Sequence, residues 1–526
     1  MPIRMTDDDP NGGDERPDPP RRRRRGGGDG GSGGGGSGLG ALISLITFVF
    51  RYPKLSLFLA VVFGGYVYFS GGKPSPSRQQ ADETESMLGT GATLDPKVYD
   101  EALVYEPLAG GGRNALPERV SLLEYAPRRL SQGSQGSCVG WASSYAARTI
   151  LYARQTGKPP DQVAFSPAFL YNQIALENCD GTYLKRAMEV LERTGDLPLG
   201  DFAYDPRTCE RRPSATEKSR AGAFRIAGYT RLSIDADDYR TNADALKQNL
   251  AQGAPVVIGM RVGGSFTRGM QGKRLWTPTR ADYAAVESWG GHAMAVIGYD
   301  DTLEGGAFQL MNSWGDDWGE GGVAWVRYRD FDHFVKEAYG LYPMGAAKRE
   351  TEEQRIRFGL VGAQDFKRLP LSRVDDLTYR TASPIRKGSR FKVEFSNARP
   401  VYTYLFGQET DGSSYVLFPY TEKHSPYCGT TGTRIFPRKQ SLTADELGTR
   451  DSIAVVISPK PLDFKALNDR ISSQPGEGYA ARLRAALGES LDGAARVRAR
   501  DQLIELSSAQ LAPDKVNALV IEFDKR

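Results

Sequence analysis

Apolar positions along the chain fall into three regimes. Residues 1–38 contain almost nothing to bury, with an unbroken basic run at Arg21–Arg25 and 11 glycines among residues 26–40. Such a stretch predicts a disordered tail and a flexible tether. Two apolar runs follow, Leu39–Phe50 and Leu55–Gly72, separated by Arg51-Tyr52-Pro53-Lys54. At 1.5 Å per residue the second run reaches about 27 Å, roughly one hydrocarbon thickness, and the first only about 18 Å. This pattern predicts a membrane anchor over 39–72, with one transmembrane helix at about 55–72. Residues 73–112, polar and rich in Pro, Ser and Gly, read as a linker.

The remaining chain carries ordinary globular patterning in two blocks. Between Leu116 and Met344, helix-favouring stretches come first (Ser137–Gln155, Tyr183–Thr194) and strand-like runs follow (Ala254–Val262, Ala293–Tyr299, Val323–Tyr328). That order predicts an α+β domain over 113–346 with helices segregated from a sheet. After a charged connector at Lys348–Arg357, Phe391–Phe395 alternates, and Val401–Phe406 and Tyr415–Phe418 flank Asp411-Gly412 as a hairpin would. Asp451–Ser458 and Val516–Phe523 predict further strands, with an Ala- and Arg-rich helix over Tyr479–Leu503. Residues 351–526 therefore read as a second, mostly β module.

Charge changes the picture only at the N-terminus. Lys+Arg 68 against Asp+Glu 64 leaves +4, which gives no reason to expect nucleic acid as a partner. The basic residues before the 55–72 span predict a cytoplasmic tail and an extracytoplasmic body, periplasmic in a Gram-negative source. Three His in the whole chain predict no metal site, and no cofactor is called for.

Candidate chemistry enters with Gln132-Gly-Ser-Gln-Gly-Ser-Cys138. Cys138 opens a helix-favouring run, where the positive end of a helix dipole and a nearby imidazolium lower a thiol pKa. Far downstream, Gly290-Gly291-His292 leads into an apolar strand, which would fix an imidazole on a rigid element. Twenty residues later, Asn312-Ser-Trp314-Gly315 supplies an amide oxygen able to hold the ring's second nitrogen. Each feature alone is weak. The ordered set of Cys, His and Asn is specific.

This constellation resembles the papain-like cysteine peptidases over about residues 114–344. Gln132, Gly133 and Cys138 meet the pattern around the nucleophile, and Asn312 to Gly319 meet Asn-Ser-Trp-Gly-x-x-Trp-Gly. The resemblance implies a two-lobed catalytic domain, helical lobe then β lobe. It makes Cys138 the nucleophile, His292 the general base and acid, Asn312 its orienter and Gln132 an oxyanion donor. Asn178-Cys179-Asp180-Gly181-Thr182 is similar to the segment that pairs with substrate backbone, with Thr182 in place of its second glycine. Gly181, Thr182 and Gly291 are thereby the expected substrate-binding residues. Cys179 and Cys209 are a candidate disulfide, with reduced thiols as the alternative. The family's long inhibitory propeptide has no counterpart in the linker. The resemblance implies hydrolysis of peptide bonds in a protein or peptide substrate through a thioester. The same residues also fit an acyltransferase, or a silent binding module. The C-terminal module resembles a β-rich bacterial domain of unknown function often joined to peptidases, and a role in binding another protein is its default expectation.

Overall fold

The computed structural model describes residues 3–7, 88–343, 354–493, 496–500, 502–508 and 512–526. Within them, a helical segment begins at Cys138 and runs to Thr156, its middle (Trp141–Arg148) wound as a wide π-type helix. It stops at Gly157, whose φ of +70° turns its N–H back to the Ala153 carbonyl at 2.8 Å. Helix Pro167–Ile174, uncharged and buried over most of its length, packs beside it, as does Leu184–Arg193, which buries Leu184, Ala187, Met188 and Leu191 and leaves its charges outside. Cys138, Leu184, Leu191, Val257, Ala293 and Tyr339 share one core between this helical side and a sheet.

That sheet has eight strands. Its order is Ile226–Arg231, Val335–Pro343, Val256–Val262, Gly290–Asp300, Ala307–Met311, Val323–Arg327 and Leu275–Trp276, with Arg119–Ser121 on the flank of Gly290–Asp300. Central strands here read as continuous apolar runs because both faces are covered. Register places Met260 opposite His292, and Gly259 opposite both Ala293 and Glu337.

The C-terminal residues build two sheets face to face, one of seven strands and one of six joined by Ile3–Asp7 as a seventh, packing Phe358, Phe395, Val455 and Ile521 between them. Helices Phe464–Ser473 and Tyr479–Leu487 cover the outer face of one sheet against Tyr404, Val456 and Val520. The expected hairpin forms between Val401–Gln408 and Ser414–Phe418, with Gly412 at φ +92° in its turn. The expected helix over Tyr479–Leu503 is corrected. It ends at Leu487, and Arg496–Arg500 and Leu503–Ser508 form an antiparallel hairpin. Ala and Arg favour helix locally, but Ile504 and Leu506 alternate into the sandwich core, and tertiary burial overrides propensity.

Among the described residues no helix is long and apolar enough to cross a membrane. The expected span at 55–72, the arginine run and the glycine tether lie outside them. Ile3–Asp7 pairs antiparallel with Gln440–Ala444 at the edge of a C-terminal sheet. A chain crossing a bilayer once between these partners would separate them; no crossing, or two, would not.

Candidate active site

Strand Gly290–Asp300 and the start of the Cys138 helix bring the distant motifs together. Ala293 N–H donates to Cys138 Sγ at 3.3 Å, which sets the thiol beside the residue that follows His292. His292 Nε2 donates to Asn312 Oδ1 at 2.7 Å, and the Trp314 ring stacks on the imidazole at 4.4 Å. His292 Nδ1 is buried with no hydrogen-bond partner among the described residues. Gln132 is locked from both sides: its N–H donates to the Ser313 carbonyl at 2.8 Å and Ser313 Oγ donates to its Oε1 at 2.6 Å. Cys179 and Cys209 are joined as a disulfide, which holds the Gly181–Thr182 turn against the loop at Cys209.

The cleft between these residues is filled by the chain itself. Leu88-Gly-Thr-Gly-Ala-Thr-Leu94 passes through it as an extended strap. Gly91 and Ala92 N–H groups donate to the Gly291 carbonyl at 3.3 and 3.0 Å. Thr182 N–H donates to the Gly91 carbonyl at 2.8 Å, and Thr93 N–H to the Thr182 carbonyl at 2.9 Å, a parallel bridge. Gln132 Nε2 donates to the Thr90 carbonyl at 3.3 Å, and Trp314 Nε1 to the Gly89 carbonyl at 2.7 Å. Thr182 and Gly291 thus bond strap backbone, and Gly181 lies so close that a Cβ on it would stand 2.3 Å from the Gly91 carbonyl oxygen. Thr182 serves as well as glycine because its hydroxyl turns away to the Ile174 carbonyl at 2.7 Å. Gly91 has no alternative residue: its φ is +120°, and a Cβ there would lie 2.2 Å from the Gly136 carbonyl oxygen.

Leu94 enters a hollow that exists because two neighbours lack side chains. A Cβ on Gly259 would lie 2.5 Å from Leu94, and one on Gly291 2.9 Å from it. Glu337 stands at the same place, accepting from Asp95 N–H at 3.2 Å. Burial pushes its carboxyl up to about 8.

The linker expectation for residues 73–112 is therefore corrected over 88–112, and so is the absence of a covering segment. Composition reads as spacer because close backbone approach selects Gly, Ala and Thr, which carry no core signature. The only sequence signal was a leucine at each end of a glycine-punctuated run. Electrostatics differ from expectation for the same reason. Under the strap, Cys138 and His292 are wholly buried. Burial pushes the thiol up to about 12 and holds the imidazole down to about 4, so both are neutral. Sequence reasoning missed Ser313, Glu337 and the strap. Among the described residues no group of three or more His, Cys, Asp or Glu is placed to hold a metal ion.

Comparison with known proteins agrees with this geometry. Residues 126–340 match the papain family of cysteine proteases, and residues 385–461 match a domain of unknown function, DUF4384. The chain is 25% identical over 246 residues to an uncharacterized peptidase C1-like protein of Acanthamoeba polyphaga mimivirus, covering 45% of this chain and 72% of that protein. It is 29% identical over 198 residues to a cathepsin B-like protein, CP3, of Giardia intestinalis, covering 37% of this chain and 62% of that protein. Among solved structures, xylellain, a cysteine protease from Xylella fastidiosa, aligns at 25% identity and a TM-score of 0.40 over 49% of this chain and 97% of that one. With Cys138, His292, Asn312 and Gln132 gathered at one cleft, residues 126–340 are a papain-family cysteine peptidase domain, followed at 385–461 by a DUF4384 domain.

Proposed function

We propose that this protein hydrolyses peptide bonds in protein or peptide substrates through a thioester at Cys138, once residues 88–94 leave the cleft. The observation that carries the reading is the strap itself: a peptide backbone bonded to Gly291, Thr182 and Gln132 beside the thiol, where a substrate backbone would lie. Displacing it admits water and removes the burial that keeps thiol and imidazole neutral. The Sγ proton then passes to His292, with Asn312 holding the ring. The thiolate attacks the scissile carbonyl carbon, and the resulting oxyanion accepts from Gln132 Nε2, vacated by Thr90, and from the Cys138 backbone N–H. His292 returns the proton to the departing amine, leaving a thioester. Water, deprotonated by His292, attacks that thioester; the acid product leaves and Sγ is regenerated. The test is labelling by a thiol-reactive peptide probe and turnover of a peptide library, with Cys138→Ala as the blank. A cleft that neither labels nor cleaves after strap removal refutes the reading, and amide products formed with an added amine would indicate acyl transfer.

Membrane anchoring through residues 39–72, with the peptidase domain extracytoplasmic, is part of the same proposal. Supporting it are the apolar run at 55–72 and the Cys179–Cys209 bond, which suits an oxidising compartment. The pairing of Ile3–Asp7 with Gln440–Ala444 calls instead for both ends of the anchor on one side, which a single pass does not give. Reporters fused after Asp8 and after Gly112 separate the cases. Opposite locations support the single pass, matching locations an anchor with both ends on one side, and two cytoplasmic signals defeat the extracytoplasmic placement.

A further inference from the structure

The C-terminal domain touches the segment that leads into the strap. Nine residues after Leu94, the chain runs extended between the two domains and pairs with both. Val104 is bridged in parallel to Arg231 of the peptidase domain on one side and to His424 of the C-terminal domain on the other. Toward the peptidase, Arg231 N–H donates to the Leu103 carbonyl at 2.9 Å and Leu108 N–H to Gln248 Oε1 at 2.8 Å. Toward the C-terminal domain, Val104 N–H donates to the Lys423 carbonyl at 2.7 Å, Ser425 N–H to the Val104 carbonyl at 2.9 Å, and Ala109 N–H to the Thr433 carbonyl at 2.8 Å. Arg434, fully buried, donates through Nε to the Glu106 carbonyl at 3.1 Å. Val104, Tyr105 and Glu106 have essentially no exposed surface. A strand with a partner on each edge holds its place far better than one laid on a single edge.

Little slack separates this shared strand from the strap. The helix Pro96–Asp100 fills the interval, its N-cap Asp95 bonded by backbone to Glu337 and its last carboxylate paired with Lys423 at 2.8 Å. The strap's own backbone bonds are worth only about 1 kcal/mol each in net terms, so occupancy depends on how tightly its downstream end is held. Pinning that end a few residues away keeps the strap at an effective concentration of order millimolar. The two domains also meet directly: Gln252 Nε2 donates to the Thr431 carbonyl at 2.6 Å, and Thr431 N–H returns to Gln252 Oε1 at 2.8 Å.

We propose that the C-terminal domain is the lock on the cleft: it forms one wall of the groove holding residues 103–109, thereby keeps residues 88–94 over Cys138, and opens the site when it separates from the peptidase domain. The consequence for activity rests on the peptidase reading; the lock does not. Its test is amide hydrogen exchange and iodoacetamide alkylation of Cys138 in the full chain, comparing the unsubstituted protein with Lys423→Ala and Gln252→Ala. Both substitutions lie outside the cleft. We expect exchange at Ala92 and Thr93 to accelerate together with Val104 and Ala109, by roughly tenfold for one lost hydrogen bond, and alkylation to follow. Val257 and Ala295 in the central sheet should keep their protection. Strap amides that stay protected while Val104 and Ala109 lose protection would overturn the lock. Should either variant unfold, seen as exchange at Val257, a protease site placed at Gly110–Gly112 in the otherwise native chain decides. The cut fragment should stay bound and Cys138 slow to react, whereas opening on the cut alone refutes the lock. A chain whose strap loosens as described but which cleaves no peptide would count against the peptidase reading and leave the lock standing.

Discussion

Cys138 carries a thiol pushed up to about 12 and His292 an imidazole held down to about 4, both because the strap removes them from water. Between those values neither group is charged, so no thiolate–imidazolium pair exists while the cleft is filled. Alkylation of the full chain by iodoacetamide should therefore be slow at about pH 5.5 and rise only in alkali, whereas a chain with a displaced strap should react quickly at that pH. Equal rates at that pH would disprove the burial account. Glu337 adds a second pH effect of defined sign. Its closed-state carboxyl is raised to about 8, so the neutral form favours the strap. That contribution is complete below the ordinary carboxylate range and disappears as pH rises through about 8. Raising pH through this window should loosen residues 88–94, and Glu337→Gln, permanently neutral, should flatten the response as read by exchange at Ala92. Gln132→Ala should lower kcat of the opened enzyme by roughly 10²–10³ through the lost oxyanion donor. Because Gln132 is wholly buried and satisfies Ser313, the same change should also lower Tm, which calorimetry would detect.

At the scale of elements, the strap, the Cys138 helix and strand Gly290–Asp300 have to meet within one hydrogen-bond length, and glycines make that approach feasible. Gly91 faces the Gly136 carbonyl so closely that no side chain fits, and its φ of +120° is unfavourable for any L residue. Gly91→Val should expel the strap while touching no group assigned to the chemistry. Peptide turnover or Cys138 labelling by the full-length variant should exceed that of the unsubstituted chain by at least about tenfold, the factor that about 1.4 kcal/mol of strain supplies. A variant as slow as its parent would show that this strap does not control access. The Cys179–Cys209 bond acts on the opposite wall of the same approach, fixing the turn that presents Thr182.

For the whole molecule, the shared strand at residues 103–109 makes peptidase and C-terminal domains parts of one closed arrangement. Tyr342 of the peptidase sheet packs edge-on against Tyr427 across the same interface, at 5.0 Å between rings. Deleting residues 354–526 should bare this surface together with Val104 and Tyr105. The expected outcome is a chain less soluble than the parent and faster to label at Cys138. Light scattering and labelling kinetics check the two halves separately, and a truncated chain that labels no faster would remove the C-terminal domain from control of the site.

The helix opening at Cys138, the strand beginning near His292 and the Asn-Ser-Trp-Gly turn were legible because each joins a short local rule to residues whose chemistry is rare elsewhere. Alternation likewise marked the hairpin around Asp411-Gly412, since burial of one sheet face imposes a period of two on any sequence that forms it. The strap was not legible, because a backbone held by its carbonyls and N–H groups leaves only small residues behind, and small residues also make linkers. Nor was the helix's end at Leu487, where Ile504 and Leu506 joined the sandwich core by pairing with strand Gln354–Gly362, more than a hundred residues away. By itself the sequence determined the set of Cys138, His292, Asn312 and Gln132 that the fold gathers at the cleft, and the local elements that hold them. Only the tertiary structure decided whether the site stands open, because closure depends on long-range backbone pairing between Gly91 and Thr182 and between Val104 and the C-terminal domain, which no side-chain pattern encodes.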